Sequence, residues 1–111
     1  MISSPDMKAN LEKEIKSITA QIIKKYKPDR IILFGSVVGG NPDSDSDADF
    51  LIIKKDTPYL GAERIRELSR LIARNIAVDF LVYRPDEFEK RVEMGDPFLD
   101  TIIKKGKVLY G

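Results

Sequence analysis

Leu11, Ile15, Ile18, Ile22 and Tyr26 recur at intervals of three and four residues, the spacing of one helical face. That stripe predicts a helix from about Pro5 to Lys27. Ser4 is placed to cap it, Pro5 suits its first position and Pro28 stops it. Ile31 to Phe34 is a short, continuous apolar run, which reads as a strand buried on both faces. Two further strands are expected, from about Asp47 to Lys54 and from Ala77 to Tyr83. Between them Ile65, Leu68, Leu71 and Ile72 mark a helix running from Pro58 or Gly61 to about Asn75. Its arginines Arg64, Arg66, Arg70 and Arg74 fall on the expected wetter side. Pro85 opens a short helix that Gly95 ends, and Asp96-Pro97 caps and opens another that Gly106 ends. Val108 to Tyr110 reads as a final edge strand.

Strands alternating with helices indicate an α/β (α+β) fold, a small mixed or parallel sheet flanked by helices. At 111 residues the chain is expected to form one domain spanning residues 1–111. Nineteen basic against eighteen acidic residues leave a formal charge of +1, so no global field draws in nucleic acid or an anionic membrane. The chain has no cysteine and no histidine. Thiolate nucleophiles, Ser-His-Asp triads and the usual zinc sites are therefore excluded, leaving chemistry to carboxylates, hydroxyls, lysines and hard cations. No apolar run approaches the ~20 residues a membrane helix needs, and the N-terminus does not read as a signal peptide, so the cytoplasm is the expected location.

The stretch richest in chemistry runs from Gly35 to Phe50. Alternation along a strand puts Asp47 and Asp49 on one face and Ala48 and Phe50 on the other. Two carboxylates sharing a face repel each other unless a cation lies between them, and structure alone gives little reason to place them at the head of Phe50-Leu51-Ile52-Ile53. Asp79 is a third acid inside an apolar strand, where a buried carboxylate needs a partner. If its strand neighbours the second one, the three carboxylates converge on a site suited to two Mg2+ ions. Gly35-Ser36 follows the first strand, where a tight turn and its N–H groups can cradle phosphate oxygens. The competing calcium-loop reading of Asp43-x-Asp45-x-Asp47 fails. Counted from Asp43, positions six and twelve are Ala48 and Lys54, where an EF-hand needs glycine and glutamate. Asp43 and Asp45 then read as loop residues.

Gly35-Ser36, ten intervening residues, then Asp47-Ala48-Asp49 entering a strand, with Asp79 on a later one, resembles the signature of the polymerase-β-like nucleotidyltransferase superfamily. Chain size and the ending Pro97-Phe98-Leu99 to Val108-Leu109-Tyr110 are similar to its minimal nucleotidyltransferases. The resemblance implies that Asp47, Asp49 and Asp79 are the catalytic and metal-binding residues for two Mg2+ ions, with Gly35 and Ser36 holding the triphosphate of ATP. It further implies an antitoxin that transfers AMP to a tyrosine hydroxyl of a HEPN-type ribonuclease toxin, the two forming a hetero-oligomer.

The pattern departs from the family at one place. Members usually carry a basic residue three positions after the serine, and here that residue is Gly39. Lys54 or Lys55 is a candidate to compensate. Two alternatives stand beside the catalytic reading: an antitoxin acting by binding alone, and the nucleotide-transfer subunit of a small-molecule-modifying enzyme. Direct nucleic-acid binding is not expected, since the arginines of the middle helix read as a solvated face.

Overall fold

A computed structural model of the protein describes residues 4–38 and 48–111, with side chains in the first helix described from residue 10 onward. The long amphipathic stripe forms α1 (Ser4–Tyr26), which ends with Lys27 in the left-handed region at φ 54° and Pro28 beyond it. The first apolar run is β1 (Arg30–Phe34) and the second is β2 (Ala48–Ile53). Next come α2 (Gly61–Leu71) and β3 (Val78–Tyr83), then α3 (Pro85–Glu93), α4 (Pro97–Lys105) and β4 (Lys107–Tyr110). The sheet order is β3-β2-β1-β4. β1 runs antiparallel to both β2 and β4, while β2 and β3 are parallel and joined through α2. The expected small mixed sheet with flanking helices is what forms.

Strand alternation divides the core in two. Ile31, Leu33, Phe50, Ile52, Phe80 and Val82 pack on one face against Ile15, Ile18 and Ile22 of α1 and against Leu68 of α2, with Ile72 just beyond its end. Ile32, Leu51 and Ile53 point the other way, onto Phe88 of α3 and Leu99 and Ile102 of α4. Burying each such side chain contributes roughly 1.5–3 kcal/mol relative to leaving it in water. Over most of their length β1 and β2 are therefore clad on both faces, as the unbroken apolar run of β1 predicts.

Three expectations about the middle helix are corrected. Arg64 is not on a wetter side: it is 3% exposed. It lies four and eight residues before Leu68 and Ile72, on the same inward stripe. Its guanidinium is accommodated there because carbonyls and a carboxylate surround it. It donates to the carbonyls of Pro58, Tyr59 (2.7 Å) and Val82 (3.2 Å) and to Glu87 Oε1 at 2.7 Å. Leu71, expected inward, is at the surface. The helix also stops at Leu71 rather than near Asn75, with Ile72 already extended. Side chains of α1 replace the missing turn. Gln21 bonds both the N–H and the carbonyl of Ala73 at 2.8 Å, Glu14 accepts from the Asn75 N–H at 2.7 Å, and Lys25 donates to the Leu71 carbonyl at 3.2 Å. These bonds hold the segment that leads into β3.

Candidate active site

Phe34, Asp49 and Asp79 form one row across the sheet. Asp49 is the register partner of Phe34 on one side and of Asp79 on the other. Side chains level with each other on adjacent strands share a face, so both carboxylates lie on the face of α3 and α4, about 4.8 Å apart strand to strand. Ala48 and Phe50 point into the opposite core. The alternation expected around Asp49 therefore holds. Asp47 and Gly39 lie outside the described residues.

Asp79 differs from its expectation. It is exposed rather than buried, and among the described residues it has no hydrogen-bond or ion-pair partner. It stands near the start of an edge strand, where its face is no longer covered. The helices of that face pack further along, over Leu81 and Tyr83. Retained hydration removes the desolvation cost that a buried carboxylate would carry. Asp49 is half-buried.

Gly35 follows β1 at φ +84°, a backbone region that side-chain-bearing residues rarely adopt. A Cβ there would overlap Asp49 Oδ2 and stand 3.2 Å from Asp49 Cγ. The absent side chain thus makes room for the carboxylate. A turn over 36–38 follows, closed by the Val38 N–H on the Gly35 carbonyl at 3.1 Å, with Ser36 exposed. Gly35, Ser36, Asp49 and Asp79 accordingly meet at one end of the sheet, where β1 ends and β2 and β3 begin.

Lys54 and Lys55 do not reach that end. Lys54 is five residues along β2 from Asp49, about 17 Å at strand rise. Its ammonium contacts the Lys27 carbonyl at 3.4 Å and lies 4.9 Å from the Tyr26 ring centroid. Lys55 is anchored through its N–H to Asp29 Oδ2 at 2.9 Å. The compensating role expected of them is not available at these positions.

On the other side of Gly35 lies an open cavity of about 570 Å3 between the end of β1 and α4. Phe34, Gly35 and Val38 form one wall, and Phe98, Thr101 and Lys105 form the other. In the sequence, α4 carries its caps and, through Pro97-Phe98-Leu99, part of the family resemblance, but no expected site residue. The signal was present: Phe98, Thr101 and Lys105 stand at i, i+3 and i+7, one face of a helix.

Among the described residues no group of three metal-ligating side chains occurs, so Asp49 and Asp79 are the two available there. Two carboxylates in register on neighbouring strands, one of them exposed, are hard oxygen donors of the kind Mg2+ takes while keeping water in its remaining positions. Also among the described residues, no helix is long and apolar enough to cross a membrane.

Comparisons with known proteins bear on the fold and the family. The family model described as polymerase beta, nucleotidyltransferase matches residues 13–111. A Methanocaldococcus jannaschii protein named "putative protein adenylyltransferase" is 33% identical over 95 residues, 85% of this chain and 90% of the relative. The fold also matches a crystal structure titled "putative nucleotidyltransferase" from Sulfolobus solfataricus. That match has a TM-score of 0.62 and 24% identity, and covers 81% of each chain. The chain belongs to the polymerase-β-type nucleotidyltransferase family.

Proposed function

We propose that this nucleotidyltransferase moves AMP from ATP to a hydroxyl of a partner protein, with Asp47, Asp49 and Asp79 as catalytic and metal-binding residues. The observation that carries this reading is the row of Asp49 and Asp79 beside Gly35. It joins an acidic pair to a glycine-serine turn at the end of β1. The name of the archaeal relative supports protein as the acceptor.

In the proposed reaction an acceptor hydroxyl oxygen attacks the α-phosphorus and a new P–O bond forms. The bond from the α-phosphorus to the α–β bridging oxygen breaks, and pyrophosphate leaves. Asp79, exposed at the sheet edge, takes the hydroxyl proton. The Gly35–Ser36 turn orients the triphosphate through backbone N–H groups and the serine hydroxyl. Mg2+ ions held by Asp47, Asp49 and Asp79 would neutralise charge developing on the attacking and leaving oxygens. Catalysis of this kind is positioning plus electrostatics.

We further propose that the acceptor is a tyrosine of a HEPN-type toxin and that the protein is its cytoplasmic antitoxin. The test is to incubate the protein with ATP, Mg2+ and such a toxin, then weigh the toxin. A mass gain of one adenylyl group is expected, and an unchanged mass with every nucleotide tried overturns the reading. Gly39 favours a second reading, neutralisation by binding alone, because the family's usual basic residue is absent there. Asp49→Asn separates the two. Rescue from toxicity is lost under the catalytic reading while the complex persists, and rescue is complete under the other.

A further inference from the structure

The cavity beside Gly35 has a composition that the transfer reaction itself does not explain. β4 begins opposite Leu33, so beyond the Leu33–Lys107 pair β1 has no strand neighbour on that side. Its last residue, Phe34, and the Gly35 that follows line the cavity instead. Across the gap Phe98 meets Phe34 edge to face, with ring centroids 5.8 Å apart and planes at 87°. The Phe98 ring is nonetheless 48% exposed, so part of it remains free for a flat apolar partner. Three residues on, the Thr101 hydroxyl donates to the Pro97 carbonyl at 2.9 Å, which leaves its lone pairs to accept. Lys105 ends the same face as an exposed ammonium with no ion-pair partner among the described residues. An aromatic face, a hydroxyl acceptor and a cation in line, opening on a glycine that abuts Asp49, match base, exocyclic amine and phosphate in turn.

We infer that this cavity seats the nucleobase of the nucleoside triphosphate, stacked on Phe98, with Thr101 accepting from the base edge and Lys105 pairing with the phosphates. The inference rests on the nucleotidyltransferase reading of the Asp49–Asp79 row, and it supplies from α4 a positive charge that Gly39 does not. The seven steps from Phe98 to Lys105 rise about 10 Å along the helix, which is the reach of a nucleotide from base to inner phosphates.

Calorimetric titration of the whole protein with magnesium-ATP and with magnesium tripolyphosphate tests it. Phe98→Ala is expected to weaken ATP binding about tenfold, the scale of one lost base–aromatic stack, and to leave tripolyphosphate unchanged. Thr101→Phe, which fills the cavity from an exposed position and removes no core contact, is expected to do the same. Lys105→Gln is expected to weaken both ligands. Wild-type affinity for ATP in both Phe98→Ala and Thr101→Phe would overturn the cavity assignment while leaving the transferase reading intact. Failure of the unaltered protein to bind either ligand would overturn both.

Discussion

One hydrogen atom in place of a methyl group at Gly35 decides where the Asp49 carboxylate can sit. Gly35→Ala would place a Cβ on Asp49 Oδ2 and force a left-handed backbone on alanine, a conformational cost of about 1–2 kcal/mol. The expected result is a folded protein with circular dichroism close to the unaltered chain and AMP transfer reduced at least ~10-fold, since a small misplacement of a catalytic group is costly. Gly106 is a glycine for a different reason. Its φ of −73° suits any residue, but a Cβ would overlap the Ile102 carbonyl and come within 2.8 Å of Ile32 Cγ2. Gly106→Ala should therefore lower the unfolding free energy by about 1–3 kcal/mol, measured by urea titration, through overpacking. Arg64 is the most buried charged residue among those described. Arg64→Ala leaves the Pro58, Tyr59 and Val82 carbonyls and Glu87 without their donor, and about 3 kcal/mol of destabilisation is expected. Nothing in its residue type marked it as internal. Only its place four residues before Leu68 did, and a charged residue at such a place is easily assigned to solvent.

Helices and strands were more legible than single side chains. The stripe of α1 and the paired caps around Asp96-Pro97 act locally, so they can be read without knowing the fold: Asp96 accepts from the N–H groups of Phe98 (2.9 Å) and Leu99 (3.3 Å). The end of α2 could not be read that way. It depends on Glu14, Gln21 and Lys25 of α1, more than forty residues distant in the chain. The start of α3, by contrast, was read from Pro85, and a tertiary contact adds to it. Glu87 accepts from the Arg84 N–H at 2.9 Å and from Arg64, and the Arg64 hydrogen bond, the largest influence on it, holds its carboxyl below the usual glutamate range. A depressed carboxyl contributes stability that is fully present above the ordinary glutamate pKa and is lost as pH falls through the folded value. Urea midpoints measured from neutral pH down into the acid range should fall more steeply for the unaltered protein than for Glu87→Gln. The contribution is modest, since the Glu87 side chain is 38% exposed and screened by water.

At the scale of the molecule, the two faces of the sheet are used differently. One is filled by α1 and α2, whereas the other is covered by α3 and α4 only over part of its length, leaving Asp49 and Asp79 at the uncovered end. An open site on a small domain suits an acceptor as large as a protein, whose own surface would complete the pocket. The motif of Gly35-Ser36 and Asp47-Ala48-Asp49 was legible in the chain because it lies within the one stretch 35–49. The pairing of Asp49 with Asp79 was not fixed by it, since a parallel crossover through α2 leaves no turn geometry to set the register. The cavity under α4 was only half legible: Phe98, Thr101 and Lys105 share a helix face, but the facing wall lies sixty or more residues away in the chain.

The central claim is that carboxylates from β2 and β3 hold a divalent cation where the triphosphate lies. Manganese(II) substitutes for magnesium and its free-ion electron paramagnetic resonance signal diminishes when it binds. Titrating the protein with Mn2+ alone should remove that signal with the unaltered chain and leave most of it with Asp49→Asn or Asp79→Asn. Equal loss of the signal in all three proteins would contradict the account.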